Sequence, residues 1–306
     1  MPTNPPLASR RKLVGATIET TSGNMATVTA ALAGTVIYDA VASPDDFYGD
    51  GQRQPQGHYQ GTTPAVIGVQ TGKLTFRTEL IHSDALLTLL QGCGFGLSLS
   101  VATPESDLAS RKTLSMKLWE DGRVKALAGC SGTVTIEAQA GKRVFANWEF
   151  TGVWQPVVDA ALPAMAPIAN AGYRAASMTL TLGGAATAQL DGFSLNLNNE
   201  VAPRQTVANA QGVQNYIITE RAPVLTIEPE ARLVAQSDAY GLLLSGATAA
   251  VNLVLTDASA NTLTIGAPKA QRIAITDTDR DKKLVDSIEV ALHASAGDDE
   301  LTFTQS

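Results

Sequence analysis

Two ten-residue stretches constrain this chain more than any other feature. Ser83 to Gly92 reads SDALLTLLQG, and Ser237 to Gly246 reads SDAYGLLLSG. Aligned without gaps they share Ser, Asp, Ala, a Leu-Leu pair and the closing Gly, six matches in ten. In the first copy Ser83 stands where an N-cap belongs, leucines recur on a helical stripe, and Gly92 stands where a helix would stop. A helix of fewer than about 12 residues is marginal in water by itself. Its leucines must therefore be buried against something, at roughly 1.5–3 kcal/mol each. The packing residues predicted are Leu86, Leu89 and Leu90 in the first copy and Leu243 and Leu244 in the second. A chain that needs the same brace twice is expected to contain the braced unit twice.

Strand periodicity surrounds both copies. In GKLTFRTELI, Leu74, Phe76, Thr78 and Leu80 fall on one face and Lys73, Thr75, Arg77 and Glu79 on the other. Asp121-Gly122 marks a hairpin in SMKLWEDGRVKAL, and Gly141 marks another, with Val134, Ile136 and Ala138 opposing Val144, Ala146, Trp148 and Phe150. The Leu-Thr-Phe before the first helix (residues 74–76) returns as Leu-Thr-Ile before the second (residues 225–227), and strands follow the helix in both halves. Abundant Ala, Thr, Val, Leu and Gly with only 5% aromatic residues suits many short strands.

These readings predict a mainly β chain of two tandem β-sandwich or barrel-like modules, each with one short flanking helix. A length of 306 residues accommodates two such units. The expected boundaries are an N-terminal arm over 1–12, a first module over 13–155, a Pro/Ala-rich linker over 156–175 and a second module over 176–306. Within the first module, residues 43–64 form a Gly-, Pro- and Asp-rich loop without apolar period, longer than the roughly 12–15 residues of ordinary structureless loops. Phe47, Tyr48, His58 and Tyr59 make it a candidate docking segment.

Motifs for chemistry fail on inspection. Gly92–Gly96 (GCGFG) follows a helix, whereas a phosphate-cradling loop precedes one. Gly129–Gly132 (GCSG) lacks nucleophile-elbow spacing. Asp277, Asp279 and Asp281 open like a calcium loop, but Lys282 replaces the required glycine and Ile288 the closing carboxylate. The three histidines are scattered, and Cys93 and Cys130 encode neither a disulfide framework nor a zinc cluster. No cofactor, metal or catalytic constellation is expected. No window approaches the roughly 18 apolar residues of a membrane helix, and the start lacks the apolar core of a secretory signal. The formal charge is -7, with 13 basic against 14 acidic residues over 1–160 and 9 against 15 over 161–306. A protein that grips nucleic acid through phosphates carries a basic surplus instead.

In their order, ATIETTSG, GKLTFRTEL with the leucine helix and GCGF, SMKLWEDG, GTVTIEA, WEFTG, FSLNLNNEV, GVQNYIITERAP and GDDELTFT resemble the tail tube proteins of long, non-contractile-tailed bacteriophages. That resemblance implies a structural virion protein, not an enzyme, whose β modules join sheets around rings that stack into the conduit for the genome. It implies a location in the virion tail after assembly in the host cytoplasm, without membrane insertion. Its implied partners are further copies of itself, the tape measure, tail terminator and distal tail proteins, and double-stranded DNA passing without specific binding. The loop 43–64 and the N-terminal arm become candidate stacking contacts. The family's usual ring has six modules, so two per chain would need three chains. A discrete β-sandwich adhesin or carbohydrate-binding module is the alternative, and it would show an exposed aromatic platform.

Overall fold

Strand-forming sequence dominates the chain, and the computed structural model places it in a mainly β fold with two short helices; residues 7–45, 47–48, 64–165, 172–175, 178–183, 185–186 and 190–306 are described. β1 (Lys12–Ile18), β2 (Ile37–Pro44) and β3 (Thr71–Glu79) lead into α1 (Asp84–Gly92). β4 (Phe95–Ser98), β5 (Val101–Pro104), β6 (Leu114–Glu120), β7 (Arg123–Gln139) and β8 (Phe145–Asp159) follow. The second half runs through β9 (Met178–Leu182), β10 (Ala185–Ala186), β11 (Leu190–Asn196), β12 (Glu200–Gln205), β13 (Val213–Glu220) and β14 (Val224–Pro229) into α2 (Ala239–Ser245). β15 (Thr248–Thr256), β16 (Thr262–Arg280), β17 (Lys283–His293) and β18 (Thr302–Gln305) complete it.

The two halves run through the same order of paired strands. The first is β2-β3-β8-β7-β6-β1 and the second β11-β14-β17-β16-β15-β9, with the helix following β3 in one and β14 in the other. They are joined into one sheet because β11 pairs with β14 on one side and with the far end of β7 on the other. A second seam lies elsewhere: β18 pairs with β16 and also with β5, where Phe303 stands opposite Ala102. Phe95 meets Phe303 edge to face there at 5.3 Å. The large apolar core accordingly draws on both halves, from Val14 and Leu74 to Val290 and Phe303.

Several strands are longer than sequence spacing predicts. β7 continues through Gly129, where a bulge between Ala128 and Ser131 and a φ of +60° bend the strand instead of ending it. Its first half pairs with β6 and its second with β11, so one strand takes two partners in turn along the same edge. β8 runs on through Pro156 to Asp159, so the extended connection expected from residue 156 begins as strand. Residues 262–280 form the single long strand β16. Pro223 separates β13 from β14, and β12, which begins at Glu200, pairs with β13.

Side-chain alternation decides what is inside. Leu74, Phe76 and Thr78 are buried while Lys73 and Thr75 are exposed, and Phe76, Trp148 and Phe150 stack across β3 and β8 with centroids 6.1–6.4 Å apart. Glu79, expected on the wet face, is buried and bonded to Arg143 and to the Tyr38 hydroxyl. Asp121 and Gly122 both take positive φ, as a two-residue turn twisted like its strands requires. Asp281 and Lys282 do the same between β16 and β17, so the calcium-like run ends in a hairpin turn.

Candidate assembly surfaces

The two echoed helices are placed differently. In α1, Leu86, Leu89 and Leu90 are buried beneath β1, β4, β5 and β7. Ser83 occupies the N-cap position, but its hydroxyl donates to the Ile81 carbonyl and caps nothing. Gly92 is helical, and the reason for glycine is space: a Cβ there would lie 2.4 Å from Leu114 Cδ1 and 2.9 Å from Phe150 Cε1. In α2, Asp238 is the N-cap and accepts from the Gly241 amide at 2.7 Å, and Gly246 closes the helix with a φ of +64°. Leu243 is only half-buried and Leu244 is 88% exposed, so the packing expected of Leu244 is not made within this chain. α2 rests chiefly on β16, with exposed Leu233, Val234 and Leu284 as further apolar surface in the second half.

Of the loop 43–64, His58 and Tyr59 lie outside the described residues. Phe47 is half-buried against the main core, and Tyr48 is 52% exposed. Of the N-terminal arm, Ala8 and Arg11 dock on the β6–β7 turn: the Ala8 amide donates to Asp121 Oδ2 at 2.7 Å and Arg11 pairs with Asp121 Oδ1 at 2.6 Å.

Strand edges are the other feature relevant to assembly. β2 ends the sheet on one side, and no strand pairs with its outer edge among the described residues. That edge is capped by amines instead: Lys12 Nζ donates to the Ala40 carbonyl at 2.8 Å and Lys125 Nζ to the Ala42 carbonyl at 2.9 Å. Both lysines also pair with Glu120, at 3.6 and 3.1 Å. Burial pushes the Glu120 carboxyl up, but its bonds to Arg123 and Lys125 outweigh this and hold it below the usual range. β16 is paired on both sides over its first half, whereas from Arg272 to Arg280 it pairs only with β17 among the described residues. Lysines and twisted or interrupted edges are common means of keeping open strands from pairing at random.

Cys93 and Cys130 are fully buried, and burial pushes both thiols up, with Glu19 adding to the effect at Cys130. His82 lies 3.4 Å from the Tyr173 hydroxyl, and His293 is exposed on β17. Among the described residues no group of His, Cys, Asp and Glu could hold a metal ion. A cavity of about 260 Å³ under α2 contains Arg272, Asp238 and Asp286 but no histidine or cysteine. Polar residues serve cross-linking instead: Arg221 bonds the Gly94 and Glu105 carbonyls, Ser106, Asp298 and Glu300, tying loops of the two halves together. Buried Glu19 accepts from Thr113, Ser115 and the amides of Gly23 and Gly129 at 2.6–2.7 Å. No helix is long and apolar enough to cross a membrane among the described residues.

The geometry is that of a β protein with a repeated strand order and with sheet edges left open among the described residues. The sequence profile described as phage tail tube protein matches residues 9–302, and the chain belongs to that family. It is therefore a bacteriophage virion component of the tail. No curated protein matches it.

Proposed function

We propose that the chain polymerises into stacked rings forming the tail tube through which the genome passes, and that three chains make one ring of six modules. What supports the reading is the repeat itself: a strand order present twice in one chain supplies two wall segments where single-module subunits would supply one. The boundaries stay those of the sequence reading, 13–155 and 176–306, with β8 reaching four residues into the connection. Stacking contacts fall to the loop 43–64 and the N-terminal arm. The tape measure, tail terminator and distal tail proteins are the tube's partners, and assembly takes place in the host cytoplasm.

Charge favours the same reading. DNA carries one charge per about 1.7 Å, so a ring a few nanometres tall faces roughly twenty phosphates, and weak attraction at each would add up to a trap. An acidic or neutral lumen keeps DNA sliding, over a range of about 8 Å at physiological salt. More of the lumen's carboxylates then come from the second half, which carries the larger acidic surplus. Negative-stain microscopy of the purified protein tests the proposal. Rings or tubes with three chains per ring are expected, six chains per ring would refute the trimer, and a particle that never polymerises would favour an adhesin or carbohydrate-binding module.

A further inference from the structure

The seam between the two halves specifies a second seam between chains. Within the chain, β11 fills the open edge of β7, with Leu195 opposite Ile136 and Phe193 opposite Ala138. In the repeated order β2 corresponds to β11 and β16 to β7, and each has an edge with no partner strand among the described residues. The register carries over. Ala42 stands opposite Leu74 as Leu195 stands opposite Leu225, so Ala42 matches Leu195, while the bulge between Tyr38 and Val41 ends the strict match before Ala40. Trp148 faces Phe76 and Val134, while Ile288 faces Ile227 and Ile275. Val134 therefore matches Ile275, Ile136 matches Asp277, and Ala138 matches Asp279.

Backbone direction agrees. The Leu197 amide bonds the Val134 carbonyl, so alternate residues 134, 136 and 138 aim their polar groups at β11. On β2 the Asp45 amide bonds Thr71, which turns residue 42 outward, and the two lysine amines meet the carbonyls of Ala42 and, in the bulge, Ala40. On β16 the two-residue turn at Asp281-Lys282 pairs Arg280 with Lys283 and turns residues 277 and 279 outward.

Charge points to the occupant. Where β7 offers buried Ile136 and Ala138 to the apolar Phe193 and Leu195, β16 offers exposed Asp277 and Asp279. The matching edge of β2 is the one attended by Lys12 and Lys125. We infer that β2 of one copy adds antiparallel to the second half of β16 in the next copy, with Ala42 opposite Asp277 and with Lys125 and Lys12 turning from the β2 carbonyls to the carboxylates of Asp277 and Asp279. The contact is head to tail, so successive chains close a ring or wind a filament. The inference rests on the ring reading above and names its interface. The lysines hold the edge shut against other strands until the acidic strand arrives.

The test is a chain carrying Val41→Cys and Thr278→Cys, assembled and then oxidised. These positions match Ser194 and Glu137, which face each other between the hydrogen-bonded pairs of the internal seam, a geometry in which Cα atoms approach to about 4.5 Å. In one chain β2 and β16 are seven strand steps apart in the sheet order and do not pair, and a bond that yields a covalent dimer joins two copies. Expected on a non-reducing denaturing gel are covalent dimers and trimers that revert on reduction, with each single variant remaining monomeric. Ser43→Cys with Thr276→Cys, matching Asn196 and Thr135, gives the same outcome should the first pair hinder assembly. Rings seen by microscopy without either cross-link would overturn this strand pairing and leave the tube reading intact. A wild-type chain that forms neither rings nor tubes would overturn the tube reading, and this inference with it.

Discussion

Leu90 and Leu244 occupy the same place in the echoed helices and opposite environments, 0% against 88% exposed. Truncating each to alanine in the unassembled chain therefore separates local sequence from tertiary packing. Leu90 lies in the main core, and a buried Leu→Ala change costs about 2–5 kcal/mol, of which the larger values reflect a cavity that cannot collapse. Taking ~3 kcal/mol, and about 2 °C per kcal/mol for a chain of this size, Leu90→Ala should lower Tm by roughly 6 °C. Leu244→Ala removes a side chain already in water and should stay within about 0.5 kcal/mol, or roughly 1 °C. Thermal melts followed by circular dichroism, at a concentration where the chain is monomeric, measure both. Equal losses would refute the reasoning, because they would mean that α2 packs within the chain as α1 does. Tube yield is the companion measurement: Leu244→Ala lowering it while leaving the monomer's Tm unchanged would place that leucine in a contact between copies.

Two further outcomes follow from local geometry. Gly92→Ala should destabilise by about 1–3 kcal/mol through overpacking against Leu114 and Phe150, although alanine is the better helix former by about 1 kcal/mol; a raised Tm would show that the site has room. Asp286, by burial and then by its neighbour Asp277, has its carboxyl held above the usual range. A raised carboxyl contributes stability that is present below the ordinary pKa and is lost as pH rises through the folded value. Asp286→Asn should therefore stabilise the fold at pH 7, with the gain fading below about pH 4 in denaturant titrations; a gain that grows in acid would contradict the assignment.

Much of the strand pattern was legible because alternation survives wherever one face is buried, as from Leu74 to Thr78 and from Val134 to Ala138. Strand ends were less legible. A glycine in a strand signals a stop or a bulge alike, and at Gly129 the choice was made by Glu19, whose carboxylate accepts the bulged amide at 2.7 Å from 110 residues away. Glu79 read as solvent-facing because its partners, Tyr38 and Arg143, lie on other strands. Leu244 read as buried because the echo carries helix and cap grammar but says nothing of what lies above the helix. The open edges of β2 and β16 had no local signature either, since an unpaired strand and a paired one are written in the same residues. Lys12 and Lys125 look like ordinary surface charge until the fold sets them against the Ala40 and Ala42 carbonyls.

The two halves are fastened along two separate lines, β7 to β11 and β5 to β18. A hinge needs a single line of attachment, and a panel held along two cannot swing. Each chain consequently arrives with its bend already fixed, and the diameter of any ring built from it is a property of the monomer, present before the first neighbour is met.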